Sequence, residues 1–214
     1  MHDWLARRRT AAAASPRATV EPTAAPPPAP QTEGPPAERH WRSILAAPTT
    51  MLSLRRARRI GLVQRRAEIL RLYRIVRRLR PRRVLEIGTA YGGSLFLWTR
   101  AAARDAHLIS VDLPPWELDD PWEPRRVAQF QGFARRRQRL DLIRGDSHAP
   151  ATREAVGRAL GSAPLDFLFI DGDHSYDGVT RDIADYGRLV RPGGLMALHD
   201  IHPHLQGWGG DVPR

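Results

Sequence analysis

Asp171, Asp173, His174, His199 and Asp200 are the residues of this chain best placed to do chemistry. They stand in two runs, Asp171-Gly-Asp-His174 and His199-Asp200, each directly after an apolar stretch, FLFI and LMAL. Ionisable groups at the end of a buried strand are costly to desolvate, so a cluster of them marks a functional site. If the two runs share one crevice, Asp171, Asp200 and His199 can hold a divalent cation. Mg²⁺ favours oxygen ligands and keeps several waters. A His in the set lowers its negative charge and shifts preference toward Mn²⁺ or Zn²⁺. Asp173 or His174 then remains as general base. A His with an ordinary pKa near ~6.5 suits neutral pH, whereas an Asp needs its pKa raised. The competing use of these side chains is local: capping the next helix and bonding to loop backbone.

A second group lies upstream, in Glu86-Ile-Gly88-Thr-Ala-Tyr-Gly92. Glycines let the backbone turn sharply and approach a ligand closely. A nicotinamide site would prefer G-x-G-x-x-G, and Ala90 stands at the middle glycine. The better fit is E-x-G-x-x-x-G. Glu86 is then expected to act on a cationic, amino-acid-like part of a ligand through a water or a backbone contact, with Gly88 and Gly92 making room. Asp112 lies 24 residues after Gly88, at the end of another apolar run. A carboxylate there is placed to accept both hydroxyls of a ribose. Asp146 and Ser147 follow a third run and face either an adenine edge or the start of a helix.

These residues must be positioned by alternating strands and helices. Strands are predicted at 83–88, 107–113, 140–146, 165–173 (with its loop) and 195–201, the last entered through an RPGG turn. Helices are predicted from the Gly-rich loop to Ala103, up to about Gln138, over 151–160, and through Val179, Ile183, Tyr186 and Val190. Strand–helix–strand spacing of this kind gives an α/β fold, a doubly wound, mostly parallel Rossmann-like sheet with helices on both faces. Ligands in such sheets sit beyond the carboxyl ends of the strands, where every candidate above falls. Leu62, Ile69, Tyr73, Val76 and Leu79 share one helix face, and Pro81 stops that helix. Three regions follow: a Pro/Ala-rich tail over 1–40 that cannot form a core, Arg-rich helices over 41–81, and the α/β domain over 82–214. Only 14 residues follow Asp200, so the sheet is expected to stop at its fifth strand. An uncovered strand edge invites pairing with another chain, and a homo-oligomer is one expected consequence.

All 34 basic residues are Arg, against 23 acidic ones, and Cys and Lys are absent. That excludes Schiff-base enzymes, pyridoxal-phosphate anchoring and the Lys-bearing phosphate loop. It also excludes thiol nucleophiles, disulfides and CxxC zinc sites. Between Arg55 and Arg83 stand 13 Arg and one acid, Glu68. This stripe reads as a solvated helix face in an Arg-biased sequence, and nucleic acid is not the expected partner. No run approaches the ~20 apolar residues of a membrane helix. A cytoplasmic location and no membrane partner are expected.

VLEIGTAYGGS, ISVDLP, LIRGDSH, DFLFIDGDHSYDGV and RPGGLMALHDI occur in this order. Over about 64–214 the chain resembles class I S-adenosylmethionine-dependent methyltransferases. It is most similar to the cephalosporin-hydroxylase-like and metal-dependent sugar O-methyltransferase group (methyltransferase family 24-like). The resemblance implies S-adenosyl-L-methionine as cofactor. It places Glu86, Gly88 and Gly92 at the methionine side, Asp112 at the ribose, and Asp146 with Ser147 at the adenine. It implies Asp171 as a metal ligand, with His199 and Asp200 where such members carry two adjacent, usually acidic ligands for Mg²⁺ or Mn²⁺. Asp173 or His174 corresponds to the base. The implied activity is O-methylation of a small hydroxylated substrate, a sugar or natural product. The family's usual seven strands contrast with the five predicted here. The alternatives are a non-catalytic or truncated remnant of the fold, and an RNA-binding or RNA-modifying methyltransferase using the Arg-rich helix. Against the last, base methyltransferases usually carry Asn or Asp, two Pro and an aromatic where this chain reads DGDH.

Overall fold

Five runs rich in Val, Ile, Leu and Phe form the strands of a single sheet. They are β1 (Arg83–Ile87), β2 (His107–Asp112), β3 (Arg139–Arg144), β4 (Leu165–Ile170) and β5 (Val190–Leu198). The structure is a computed structural model that describes residues 48–113 and 124–199. The tail over 1–40, Asp200 and whatever flanks β5 beyond it lie outside the described residues. The order is β3-β2-β1-β4-β5, and every neighbouring pair is parallel. The chain starts in the middle at β1, works outward to β3, then crosses to β4 on the other side. β1 and β4 therefore flank the switch point, where ligands bind in open sheets of this kind.

Among the described residues six helices connect or precede the strands: α1 (Pro48–Ile60), α2 (Arg66–Leu79), α3 (Gly93–Ala101), α4 (Pro124–Gln131), α5 (Pro150–Leu160) and α6 (Tyr176–Tyr186). A strand alternates its side chains between two faces, and here the alternation divides the core. Val84, Leu108, Phe167 and Phe169 face a layer that includes Leu54 and Ala57 of α1, Ile69, Tyr73 and Val76 of α2, Trp98 of α3 and Phe130 of α4. Leu85, Ile87, Ile109, Val111, Leu168 and Ile170 face Val156 and Leu160 of α5 and Tyr186 of α6. The Arg-rich helices thus belong to the same core as the sheet. Each fully buried Leu, Val or Phe stabilises the fold by roughly 1.5–3 kcal/mol.

α2 ends as its sequence demands. Arg80 takes a left-handed conformation, its N–H bonds to the Val76 carbonyl, and Pro81 cannot continue the helix. Four expectations need correction. Leu62, expected on the α2 face, lies ahead of that helix, which starts at Arg66, and Val190, expected on the helix through Tyr186, opens β5. The helix expected to run to about Gln138 ends at Gln131. Gly132 follows, and the Gln138 amide instead donates to the carbonyls of Thr99 and Ala103, 3.0 and 2.8 Å away. The RPGG segment, expected as a turn before the last strand, lies inside β5, where the β4–β5 register shifts between Leu165 and Phe167. Asp166, at that irregularity, accepts from the backbone N–H groups of Arg82 and Arg83 and from Arg191 Nε. The irregular start of β5 is thereby tied to the entry of β1.

Candidate active site

Glu86 sits in β1 directly opposite Ser110 of β2, on the sheet face covered by α3. It is fully buried. Trp98 Nε1 of α3 donates to its Oε1 at 2.9 Å, and Ser110 Oγ to its Oε2 at 3.4 Å. The Trp98 ring is itself fixed edge-on to Phe167 and Phe169, with centroids 5.0 and 5.1 Å away. Burial raises the Glu86 pKa to about 8. Hydrogen bonds from Ser94 and Trp98 oppose the rise, and the charges of Asp171 and Asp112 add to it. Glu86 therefore underlies the glycine loop and does not open onto the crevice itself.

That loop, residues 88–92, is bent by three left-handed residues, Gly88, Ala90 and Gly92, with φ of 87°, 44° and 82°. Ala90 pays a strain that glycine would not, and such strain collects at functional loops. Asp112, at the end of β2, supplies the compensation. Its carboxylate accepts from the N–H groups of Thr89, Ala90 and Leu113 at 3.1, 2.7 and 2.8 Å. Burial raises the Asp112 pKa, those three backbone bonds oppose it, and Asp171 adds to it. A Cβ at Gly88 would lie 2.1 Å from the Asp171 carbonyl oxygen, so the ends of β1 and β4 touch here. At Gly92 a Cβ would strike the Phe130 ring at 2.5 Å.

Asp171, just past β4, is engaged on both oxygens. Gln64 Nε2 donates to Oδ2 at 2.5 Å, and His199 Nδ1 lies 3.0 Å from Oδ1. The structure thus joins two of the three expected metal ligands, Asp171 and His199. Among the described residues no three His, Asp or Glu side chains converge on one point. Asp173 does not join this pair. It accepts from the Ser175 N–H at 2.8 Å and packs against Gly178 in the first turn of α6, whose N-cap is Ser175. His174 beside it is exposed.

On the other flank, Asp146 accepts from the His148 N–H at 2.9 Å and is half-exposed. Ser147 is held from below. Its carbonyl accepts from Tyr186 Oη at 2.6 Å. His148 Nε2 lies 3.2 Å from both Asp182 Oδ1 and the Gly178 carbonyl. The loop carrying Asp146 and Ser147 is thus fastened to α6.

A family model described as a methyltransferase domain matches residues 85–201. This chain belongs to that methyltransferase family. A rhamnosyl O-methyltransferase of Mycobacterium bovis is 29% identical over 143 residues, which cover 63% of this chain and 54% of that protein. An uncharacterised Sinorhizobium fredii protein is 28% identical over 146 residues, 63% of this chain and 15% of its own length. The methyltransferase chain thus spans about half, or much less, of the curated relatives it matches. Among solved structures, the O-methyltransferase TomG of Streptomyces achromogenes, involved in tomaymycin synthesis and solved with S-adenosylmethionine, superposes with a TM-score of 0.51. It is 20% identical, over 75% of this chain and 70% of that one. A Bacillus cereus O-methyltransferase solved with S-adenosylhomocysteine gives 0.52, at 18% identity over 73% and 69%. These two likenesses establish the class I methyltransferase fold.

Several residues of this methyltransferase's crevice had no sequence signal strong enough to single them out. Ser110 and Trp98 read as ordinary strand and helix interior, and only the register and the turn of α3 bring them to Glu86. His148 and Asp182 are 34 residues apart and meet only through folding. Gln64 follows the Gly61 break between two helices, and nothing in its neighbourhood announced a contact 107 residues away.

Proposed function

We propose that this chain is an S-adenosylmethionine-dependent O-methyltransferase acting on a small hydroxylated molecule, a sugar or natural product. The observation that carries the proposal is the switch-point crevice. The charges of Asp171 and Asp112 help raise the Glu86 pKa, that of Asp171 helps raise the Asp112 pKa, and no Arg is hydrogen-bonded to any of the three among the described residues. A site rich in acceptors and poor in cations suits a ligand that brings positive charge. S-adenosylmethionine brings two, a sulfonium and an ammonium. Asp112 holds the Thr89–Ala90 turn and retains lone pairs for ribose hydroxyls. The fastened Asp146–Ser147 loop offers the adenine side. That relatives and neighbours include O-methyltransferases, one of them rhamnosyl, supports oxygen as the acceptor atom and a sugar or natural product as its bearer.

In this reading the acceptor hydroxyl loses its proton to a base, and its oxygen attacks the methyl carbon in line with the departing sulfur. The carbon–sulfur bond breaks and its electron pair stays on sulfur, giving a neutral thioether. Most of the acceleration comes from holding the reactants in line. His174 is the better base, because Asp173 is committed to the α6 cap. A divalent cation would be held by Asp171 and His199, with Asp200 outside the described residues. It would supply a lowered pKa to the acceptor hydroxyl.

The test is calorimetry with S-adenosylmethionine. Asp112→Ala is expected to weaken binding by roughly 1.5–3 kcal/mol, the scale of hydrogen bonds to a charged group. No binding to the folded wild type at millimolar cofactor would end the proposal. For the metal, methyl transfer that persists in excess chelator would remove the cation from the mechanism.

A further inference from the structure

We infer that Gln64 binds the α-ammonium group of S-adenosylmethionine and so makes this enzyme select a cofactor with an intact amino-acid end. The inference rests on the cofactor reading above and adds a residue from outside the strand ends.

The orientation of the Gln64 amide is dictated by its neighbour. Nε2 donates to Asp171 Oδ2 at 2.5 Å, and the reverse orientation would press an amide oxygen against a carboxylate oxygen. Oε1 is therefore fixed as the other end of a planar group beside Asp171. It has no hydrogen-bond donor, although Gln64 is only 8% exposed. A buried carbonyl left without a donor is costly, and here it is an acceptor on the same amide that donates to the Asp171 carboxylate. A water could fill the hydrogen bond but would not offset the charge. An ammonium does both, with three donors and a full positive charge. The sequence has no Lys to provide one.

The linker that carries Gln64 is held in place and forms a wall of the glycine loop. A Cβ at Gly61 would lie 2.4 Å from Tyr91 Cβ, and one at Gly93 would lie 2.4 Å from the Leu62 backbone. Gly61 therefore packs on Tyr91 of the loop that contains Gly88, and Leu62 on Gly93 just after it, while Gly88 itself has no room for a Cβ beside the Asp171 carbonyl. In S-adenosylmethionine the ammonium is the donor at the methionine end, the end that the cofactor reading assigns to the glycine loop at Gly88.

The experiment uses the full chain and two probes, S-adenosylhomocysteine and its desamino analogue, in which hydrogen replaces the α-amino group. Wild type is expected to prefer S-adenosylhomocysteine by roughly 10- to 100-fold in calorimetry, the ratio given by one hydrogen bond to a charged group. Gln64→Leu is expected to shrink that preference at least ~5-fold, by weakening the amino-bearing ligand and sparing the desamino one. An unchanged preference in Gln64→Leu overturns the inference. Gln64→Ala gives the same reading if the Leu variant does not fold. In wild type itself, the Gln64 side-chain amide resonance, assigned through bonds from its own backbone, is expected to shift with S-adenosylhomocysteine and not with the desamino analogue. Equal shifts overturn the inference without any variant. If wild type binds both probes equally, the Gln64 assignment fails while the cofactor reading stands. If it binds neither, both fail.

Discussion

Glu86 keeps its proton near neutrality because burial lifts its pKa from 4.5 to about 8. The unfolded chain releases that proton near 4.5, so between the two values the native state binds more protons than the unfolded one. Stability from this group is fully present below about 4.5 and is lost as pH rises through about 8, at no more than ~1.4 kcal/mol per pH unit. Glu86→Gln keeps the shape and an acceptor for Trp98 but cannot titrate. Urea unfolding at about pH 5.5 and about pH 8 is expected to show wild type losing more stability than the variant. Parallel losses would mean that Glu86 does not titrate in that window. The base makes a separate prediction. His174→Ala is expected to slow methyl transfer on the order of 10²–10⁴-fold, with Asp173→Asn within a few-fold of wild type because Asn still accepts from the Ser175 N–H. A His174→Ala enzyme of near wild-type rate would transfer the role elsewhere. At this scale the sequence was readable for position, as in placing Asp112 and Asp171 at strand ends. It was not readable for Gln64 or Trp98, whose roles depend on who faces them after folding.

Elements were easier to foresee than their ends. Apolar runs and helical periodicity located all five strands and the helices around them, because burial on two sheet faces leaves a strong pattern. Boundaries failed where a side chain replaced backbone hydrogen bonding, as Gln138 does beyond α4, and where Asp166 lets RPGG enter β5 as an irregularity. The helical pattern was read back to Leu62, so neither the α1–α2 linker ahead of Arg66 nor its contact with the glycine loop was foreseen, since packing between distant segments leaves no local periodicity. That contact can be tested with two glycines. A Cβ at Gly93 meets the Leu62 backbone at 2.4 Å, whereas one at Gly157, inside α5, meets nothing within 4 Å. Gly93→Ala is expected to destabilise by roughly 1–3 kcal/mol, since backbone yields poorly to overpacking. Gly157→Ala is expected to stabilise by about 0.4–1 kcal/mol, through a less flexible unfolded chain and better helix propensity. Denaturant midpoints read both, and a neutral Gly93→Ala would show that the linker is not seated on the loop. The sheet edges carry one further expectation. β3 and β5 each have one neighbour among the described residues, and Met196 on β5 is 41% exposed. We propose that the β5 edge pairs with a second copy. Sedimentation should then show a dimer that Met196→Lys converts to monomer, and a monomeric wild type would refute it.

At the scale of the whole molecule, charge is the least balanced quantity. The 13 Arg between Arg55 and Arg83 face a single acid, Glu68. Among the described residues, ion pairs form at Arg82, Arg139, Arg153, Arg158 and Arg191, and none at any Arg from Arg55 to Arg80. These side chains find other uses. Arg77 donates to Thr50 Oγ1 at 2.8 Å, and the Arg56 guanidinium lies 5.3 Å from the Phe96 ring centroid. Such contacts let the aliphatic stems cover apolar surface while the charges stay in water. They leave the repulsion between neighbouring guanidinium groups uncompensated. Screening should relieve it, because the Debye length falls from ~10 Å at 0.1 M salt to ~3 Å at 1 M. The melting temperature is therefore expected to rise between about 0.05 and about 0.5 M sodium chloride. A protein held by surface ion pairs would lose stability over the same range, since salt weakens attraction and repulsion alike. A fall would mean that acidic groups outside the described residues neutralise this stripe. The same titration bears on RNA as a partner. A stripe that grips phosphates would show affinity dropping steeply with salt, while one that is only solvated would show stability rising and no affinity to lose.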